Sequence, residues 1–439
     1  MTEKQPRVVF QDANLIDGKR PARPGSHVVV SGTRIEKVGQ GRAQARSGDR
    51  VVELGGRTLM PGMVQAHFHA SFGAFGDGIS APCLGLEASP AYLSMLAARN
   101  VRTALECGFT GAVGSSNPYC IDVALKEAIL AGFVVGPRYL ASGMELVTTG
   151  EASDFANNRH WHMELGNTGL TKEVDGPDAW RLAVRQECGR GVDVVKISAS
   201  PGHGSAPARD VMYLTRDELR AAVDTAHTLG KRVRAHCASR SAILECARAG
   251  VDIIDHADRM DRECIDAIVK AGCFVTPSML WTVRFLHIAE NWDHAAQRLA
   301  INEGFPETLE ATLARIRGVR TDFEHTCRIL PEAVAAGVKL LVGDDFGTPV
   351  MPHGDYGSEL EIYVKQLGIP ALDVIRWATV NGAMLLGMGD ELGSVEEGKL
   401  ADLLVVHGDP LHDITCLKNP ANVQAVLKDG VFMKDQLAA

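Results

Sequence analysis

No stretch of this sequence stays apolar for the roughly 20 residues that a membrane-spanning helix needs. No block of lysine and arginine stands out, and the formal net charge is -9, which argues against a nucleic-acid or other polyanionic partner. The ten cysteines are scattered and none forms a C-x-x-C pair, so they read as reduced thiols rather than a disulfide framework. The opening MTEKQPR lacks the apolar core of a signal peptide. A cytoplasmic location is the expectation. Repeats and low-complexity segments are absent too. What is present is ordinary for a globular protein: 46% apolar and 23% charged residues in a chain of 439. That length allows one large domain and a smaller one.

Both ends of the chain read as short β-strands, at 8–12, 26–31, 34–38 and 51–54, then at 400–407 and 423–432, with Gly and Asp turns. Lone hairpins are marginal, so the ends are expected to assemble into one small β-sandwich domain, residues 1–57 with 391–439. Between them, apolar runs fall at 58–70, 108–116, 138–143, 192–200, 232–238, 252–258, 274–280 and 339–346. Helical patterns alternate with them at 91–106, 122–131, 179–190, 215–229, 240–249, 263–271, within 307–336 and at 358–367. This α/β alternation predicts a (β/α)8 TIM barrel over 58–390. A doubly wound open sheet is the alternative, but no G-x-G-x-x-G follows the first run. Residues 151–178, rich in Asn, Gly, His and Trp, read as a long loop of the kind that carries function or stays disordered.

In such a barrel, chemistry sits at the C-terminal ends of the strands. His67 and His69 close the first run. Strand side chains alternate with period two, so both imidazoles face one way and suit a divalent metal. Lys196 lies near the end of the fourth run, His236 of the fifth, His256 of the sixth and the pair Asp344-Asp345 of the eighth. Each alone has a plain structural reading: a hydrogen-bonded His, a half-buried and ion-paired Lys, an Asp capping the next helix. Five strands offering a metal-competent or base-competent group at one end of one barrel make coincidence the poorer reading.

The segments 59–69 (LMPGMVQAHFH), 194–200 (VVKISAS), 233–236 (VRAH), 253–256 (IIDH) and 343–345 (GDD) resemble the amidohydrolase superfamily. So do the later segments 379–387 (TVNGAMLLG) and 392–406 (LGSVEEGKLADLLVV). The resemblance covers nearly the whole chain. It is strongest to the binuclear carboxylated-lysine branch that contains imidazolonepropionase and prolidase-like metal-dependent amidases. It implies that His67 and His69 ligate the more buried of two divalent ions, with zinc the expected metal. Lys196 would bear a carbamate formed with CO2 that bridges both ions, and His236 and His256 would ligate the second. Asp345 would touch the metal and take the proton of the attacking water. The physics agrees. Only the neutral amine of lysine takes up CO2, and a desolvated site beside cations favours that form. Two cations bring the pKa of bound water towards roughly 7. The family pattern Gly-Thr-Asp puts Asp345 at the ligand and Asp344 at the Thr. Neighbouring strand residues face opposite ways, so both serve only if the strand has ended or bulged.

Two departures concern substrate. Several prolidase-like members hold a terminal carboxylate with a His in the loop after strand three and a Tyr two residues beyond the strand-five His. Those places fall near Ala152 and at Ala238. A neutral amide, carbamate, thiocarbamate or urea is therefore expected ahead of a dipeptide. His160, His203 and Arg240 are the candidate substrate-binding residues, and Met144, Met279 and Trp281 are placed to line an apolar pocket. A dipeptidase or N-acyl amino acid hydrolase is one alternative. A mononuclear deaminase or imidazolone-type hydrolase is another. Such deaminases typically carry a Glu three residues after the strand-five His, where this chain has Ser239. A non-catalytic scaffold would lose ligands, and none is lost. The expected partners are a small-molecule substrate and further copies of the chain in a homo-oligomer.

Overall fold

In a computed structural model of the chain, residues 7–73, 88–151, 169–203, 210–294 and 308–437 are described. The fold is mixed α/β. Both chain ends share one sheet, ordered Val431–Asp435, Val423–Lys428, Leu403–Val406, Thr58–Pro61, Val8–Leu15, Arg23–Ser31 and Arg34–Gln40. Arg50–Glu53 also pairs with Val8–Leu15. Val8, Val28, Val30 and Ile35 from one end bury their side chains in the same cluster as Val405 and Leu427 from the other. β-Branched residues suit such a half-buried, pleated surface.

The apolar run 58–70 splits in two. Thr58–Pro61 pairs antiparallel with Leu403–Val406, whereas Met63–Phe68 pairs parallel with Phe109–Gly114. Gly62 is the switch between them. A Cβ there would collide with the side chain of Thr110, so only glycine lets the backbones approach this closely.

From Met63 to Leu340 the strands are parallel. One sheet joins Met63–Phe68, Phe109–Gly114 and Arg138–Leu140. The other runs Thr171–Glu173, Glu145–Val147, Val194–Ser198, Arg232–Cys237, Ile253–His256, Phe274–Thr276 and Lys339–Leu340. Every residue of Met63–Phe68 and Val194–Ser198 is buried, which is why these strands read as continuous apolar runs. Hydrogen bonds join the two sheets at both margins. The Ala66 and His69 amides donate to Val342 O (2.8 Å) and Phe346 O (3.1 Å), and those of Asp193 and Val194 donate to Ala141 O (2.8 and 3.1 Å).

Helices follow the strands as the sequence periodicity predicts, and three of their starts illustrate side-chain capping. Thr215 and Glu218 form a capping box before Arg216–Thr228, Ser239 caps Arg240–Ala249 and Asp261 caps Arg262–Ala271. Two expectations need correction. The run 274–280 is strand only over Phe274–Thr276, and Met279–Glu290 is a helix. A short apolar run does not distinguish the two by period. The loop expected over 151–178 contains a strand at Thr171–Glu173, paired with Glu145–Val147, and a helix beginning at Pro177. Among the described residues no helix is long and apolar enough to cross a membrane.

Candidate active site

The side chains gather around Asp345. Its Oδ1 lies 2.8 Å from His67 Nε2 and 3.4 Å from His69 Nε2, and its Oδ2 lies 3.6 Å from His203 Nε2. Ligand atoms of His67, His256 and Asp345 all fall within 4.8 Å of one another, as do those of His203, Asp344 and Asp345. His236 Nδ1 stands 3.0 Å from His256 Nε2. Three rings are held from behind. His69 Nδ1 meets Ser116 O at 3.2 Å, His256 Nδ1 meets Ser278 Oγ at 2.8 Å and His203 Nδ1 meets Asp258 Oδ1 at 3.2 Å. Anchoring Nδ1 aims Nε2 at the centre, as in metal-ligating histidines.

Burial sets the charge states. It pushes the His67 imidazole down to about 4, lowers His236 and drives His256 well below its ordinary value. These rings are neutral near pH 7, as ligation requires. Burial works against an ionised Asp345, but His67 and His256 beside it hold the carboxyl well below the usual range. His203 is the exception. Burial would lower it, yet Asp258, with Asp345 and Asp344 behind, raises it to about 9. Neutral imidazoles converging on a half-buried carboxylate are a nitrogen and oxygen donor set that suits zinc-like divalent ions. His203 Nε2 is buried without a hydrogen-bond partner among the described residues.

The backbone breaks the alternation rule to build this cluster. Register pairs His236 with Asp255 and Cys237 with His256, so simple alternation would send Asp255 and His256 to opposite faces. Both nevertheless reach the cluster, because His256 and Ala257 turn into the left-handed region at φ 70° and 54°. The other end of the site does the same. The strand Lys339–Leu340 is over before the acidic pair, and Asp345 sits at φ 45°. Asp345 faces His67. Asp344 accepts from the Leu280 and Trp281 amides (2.5 and 3.1 Å) and so caps Met279–Glu290, while remaining near His203.

Lys196 is buried, and its Nζ donates to Asp255 Oδ2 at 2.8 Å. Arg234 grips the same carboxylate, with Nη2 to Oδ1 at 2.7 Å and Nε to Oδ2 at 3.1 Å. Its Nη1 donates to Ala66 O (2.9 Å) and Gly114 O (2.7 Å). Burial opposes ionisation of Asp255, but Arg234 and Lys196 hold its carboxyl well below the usual range. Neither Arg234 nor Asp255 is among the residues singled out from sequence. Arg234 was findable, since it precedes His236 by two and shares its strand face. Asp255 was hidden by the irregular turn at His256.

Arg240 does not join the site. It opens an outer helix, where its Nε meets Asp261 Oδ2 and its Nη2 meets Glu263 Oε2, each at 2.5 Å. His160 lies outside the described residues. Ser239, at the place of a deaminase glutamate, accepts from the Ala242 amide. Met279 and Trp281 do line a cavity of about 270 Å³ with His203, while Met144 is buried elsewhere.

Comparison with known proteins places this geometry. The chain is similar to an ochratoxinase of Aspergillus niger, 27% identical over 395 residues that cover 86% of this chain and 75% of the relative. It is similar to an imidazolonepropionase of Rhizobium rhizogenes, 23% identical over 411 residues that cover 88% of each. Among solved structures it resembles a Xaa-Pro dipeptidase with methionine bound in the active site, with a TM-score of 0.82 and 27% identity, covering 98% of this chain and 100% of that one. The model of the amidohydrolase family matches residues 58–433, and the chain belongs to that family.

Proposed function

We propose that the chain hydrolyses an amide-type C–N bond, in an amide, carbamate, thiocarbamate or urea, at two divalent ions held in a closed (β/α)8 barrel. The observation that carries this reading is the convergence of buried, neutral imidazoles on Asp345. Family membership and likeness to an ochratoxinase and a Xaa-Pro dipeptidase support hydrolysis. The barrel spans 58–390, with Thr58–Pro61 as the handover strand, and the two ends form the small β-sandwich domain.

In this reading His67, His69 and Asp345 would hold one ion and His236 and His256 the other, and Lys196, as a carbamate formed with CO2, would supply oxygen ligands to the pair. Such ions, of which zinc fits the donors best, acidify water towards neutrality and polarise a carbonyl. The protein's own groups do the rest. Asp345 takes the proton of the attacking water on its carboxylate and delivers it to the leaving nitrogen. His203, oriented by Asp258, presents Nε2 on the cavity side of Asp345. Unmodified Lys196 donates to Asp255, whose charge Arg234 offsets; CO2 uptake would release the amine's other protons and leave one Nζ–H to keep that bond. Ala238 is buried with its Cβ against Gly202, so no polar anchor for a terminal carboxylate stands there. Neutral amides are therefore favoured over dipeptides. The cysteines in the described residues are all free, which suits a reducing cytoplasm.

Metal analysis of the purified protein tests the reading, with two ions per chain expected. Chelation should abolish activity, and divalent metal with bicarbonate should restore it. Lys196→Ala should lose activity and regain part of it with short carboxylic acids, which can replace the bridge. Full turnover by exhaustively stripped protein would exclude the mechanism. Sedimentation tests the expected homo-oligomer.

A further inference from the structure

The helix Leu309–Ala335 carries a glycine near its middle, Gly318. Glycine weakens a helix interior relative to alanine. Crowding does not explain it, because no described atom lies within 4 Å of where a Cβ at 318 would stand. Ala311, Ala314 and Gly318 recur at helical spacing and line the cavity of about 270 Å³, beside the larger Arg315, Val319, Asp322 and Phe323 of the same helix. The small side chains leave an open slot along that face.

The opposite wall is aromatic. Trp281, on Met279–Glu290, stacks on Phe285 at 5.1 Å with planes 6° apart, and meets the His203 ring at 4.7 Å. The slot adjoins the histidine and aspartate cluster, since the lining residue Ser278 holds His256 and the lining residue His203 has Nε2 3.6 Å from Asp345 Oδ2. Of the cations in the wall, Arg259 is matched by Asp322 at 2.9 Å and His203 by Asp258 at 3.2 Å, and Arg315 is a third, buried beside them. Drug-sized ligands occupy pockets of roughly 300–1,000 Å³, so this slot suits one ring system rather than a whole large ligand.

We propose that this slot is the subsite for an aromatic ring of the substrate, and that Gly318 sets its depth. The proposal rests on the hydrolytic reading above and gives it a substrate class: amides, carbamates or ureas carrying an aryl group next to the scissile bond. Trp281 offers the ring a face or an edge, and the missing side chain at 318 leaves room for its far end.

Metal-loaded wild type and Gly318→Leu are compared on a naphthoyl amide and the acetyl amide of the same amine. The leucine should lower kcat/KM for the naphthoyl amide at least tenfold relative to the acetyl amide, mainly through KM. Quenching of tryptophan fluorescence by 2-naphthol reads the slot without turnover. It should occur in wild type, disappear in Gly318→Leu and weaken in Trp281→Phe. Gly318→Ala should raise Tm, and a fall would show that the space is filled and overturn the proposal. A folded Gly318→Leu with normal metal content, an unchanged substrate ratio and unchanged quenching would also overturn it. If Gly318→Leu does not fold, Ala314→Leu on the same face takes its place with the same expectations. If no amide is cleaved but 2-naphthol quenches only the open-slot proteins, the aryl subsite stands and the hydrolytic reading falls.

Discussion

Two neighbouring aspartates with opposite duties make the sharpest test at the scale of single residues. Asp345 faces His67, while Asp344 caps a helix. Asp345→Asn should cut kcat by about 10²–10⁴-fold with a smaller change in KM, because an amide cannot carry the proton. The reverse pattern, with Asp344→Asn catalytically dead and Asp345→Asn near normal, would shift the assignment by one. Asp255→Asn should act differently. It leaves Arg234 and Lys196 buried without their carboxylate, so metal-free protein should lose about 3–5 kcal/mol in urea melts. An unchanged melt would mean that the pair does not fix the floor of the site. At this scale the sequence was informative where strands stay regular. His67, His69, Lys196, His236 and His256 were named from the sequence as strand-end residues. Asp255 was not named, because left-handed backbone at His256, which brings both neighbours to one cluster, leaves no mark in the alternation. Arg240 misled for a related reason: proximity to His236 in sequence says nothing about which side of a helix start a side chain takes.

Among the helices, Ile121–Leu130 carries a testable burden in its first turn. Asp122 is fully buried and accepts from the amides of Ser142 (2.6 Å) and Gly143 (3.0 Å). Burial outweighs those bonds and pushes its carboxyl up to about 6 from an ordinary 3.8. A raised carboxyl binds its proton more tightly in the folded state. Its contribution to stability is therefore full below about pH 4 and lost as pH rises through 6, by about 2–3 kcal/mol. Thermal melts of wild type and Asp122→Asn from pH 4 to 7 should show the fall in wild type and a flatter curve in the variant. Parallel curves would rule the idea out. Helix existence was mostly plain from periodicity. Met279–Glu290 was the failure, since its apolar start continues the strand before it and its cap, Asp344, comes from far along the chain.

For the whole molecule, the question is how the sheet of the chain ends is fastened to the parallel strands. Arg138, opening the strand Arg138–Leu140, reaches Asp402 at 3.1 Å and Asp429 at 2.5 Å on the terminal sheet. Arg138→Met should cost roughly 2–4 kcal/mol, less than a fully buried pair because Arg138 keeps some contact with water. Amide exchange should quicken first in Leu403–Val406 and Val423–Lys428. Uniform loosening would argue against a fastener. Most terminal strands were legible one by one, although the run 423–432 is a hairpin of Val423–Lys428 and Val431–Asp435, but their order was not, because nothing local says that Thr58–Pro61 lies between Val8–Leu15 and Leu403–Val406. That order has a consequence in time. A chain made from its first residue at about 5–20 residues per second leaves Thr58–Pro61 without its second neighbour for roughly tens of seconds. Through that interval the strand presents an unpaired, apolar edge to everything around it. The parallel strands are synthesised while this edge stands open. The growing chain is thus most exposed to sticking not at its newest segment but at one of its oldest, until residues 403–406 arrive to cover it.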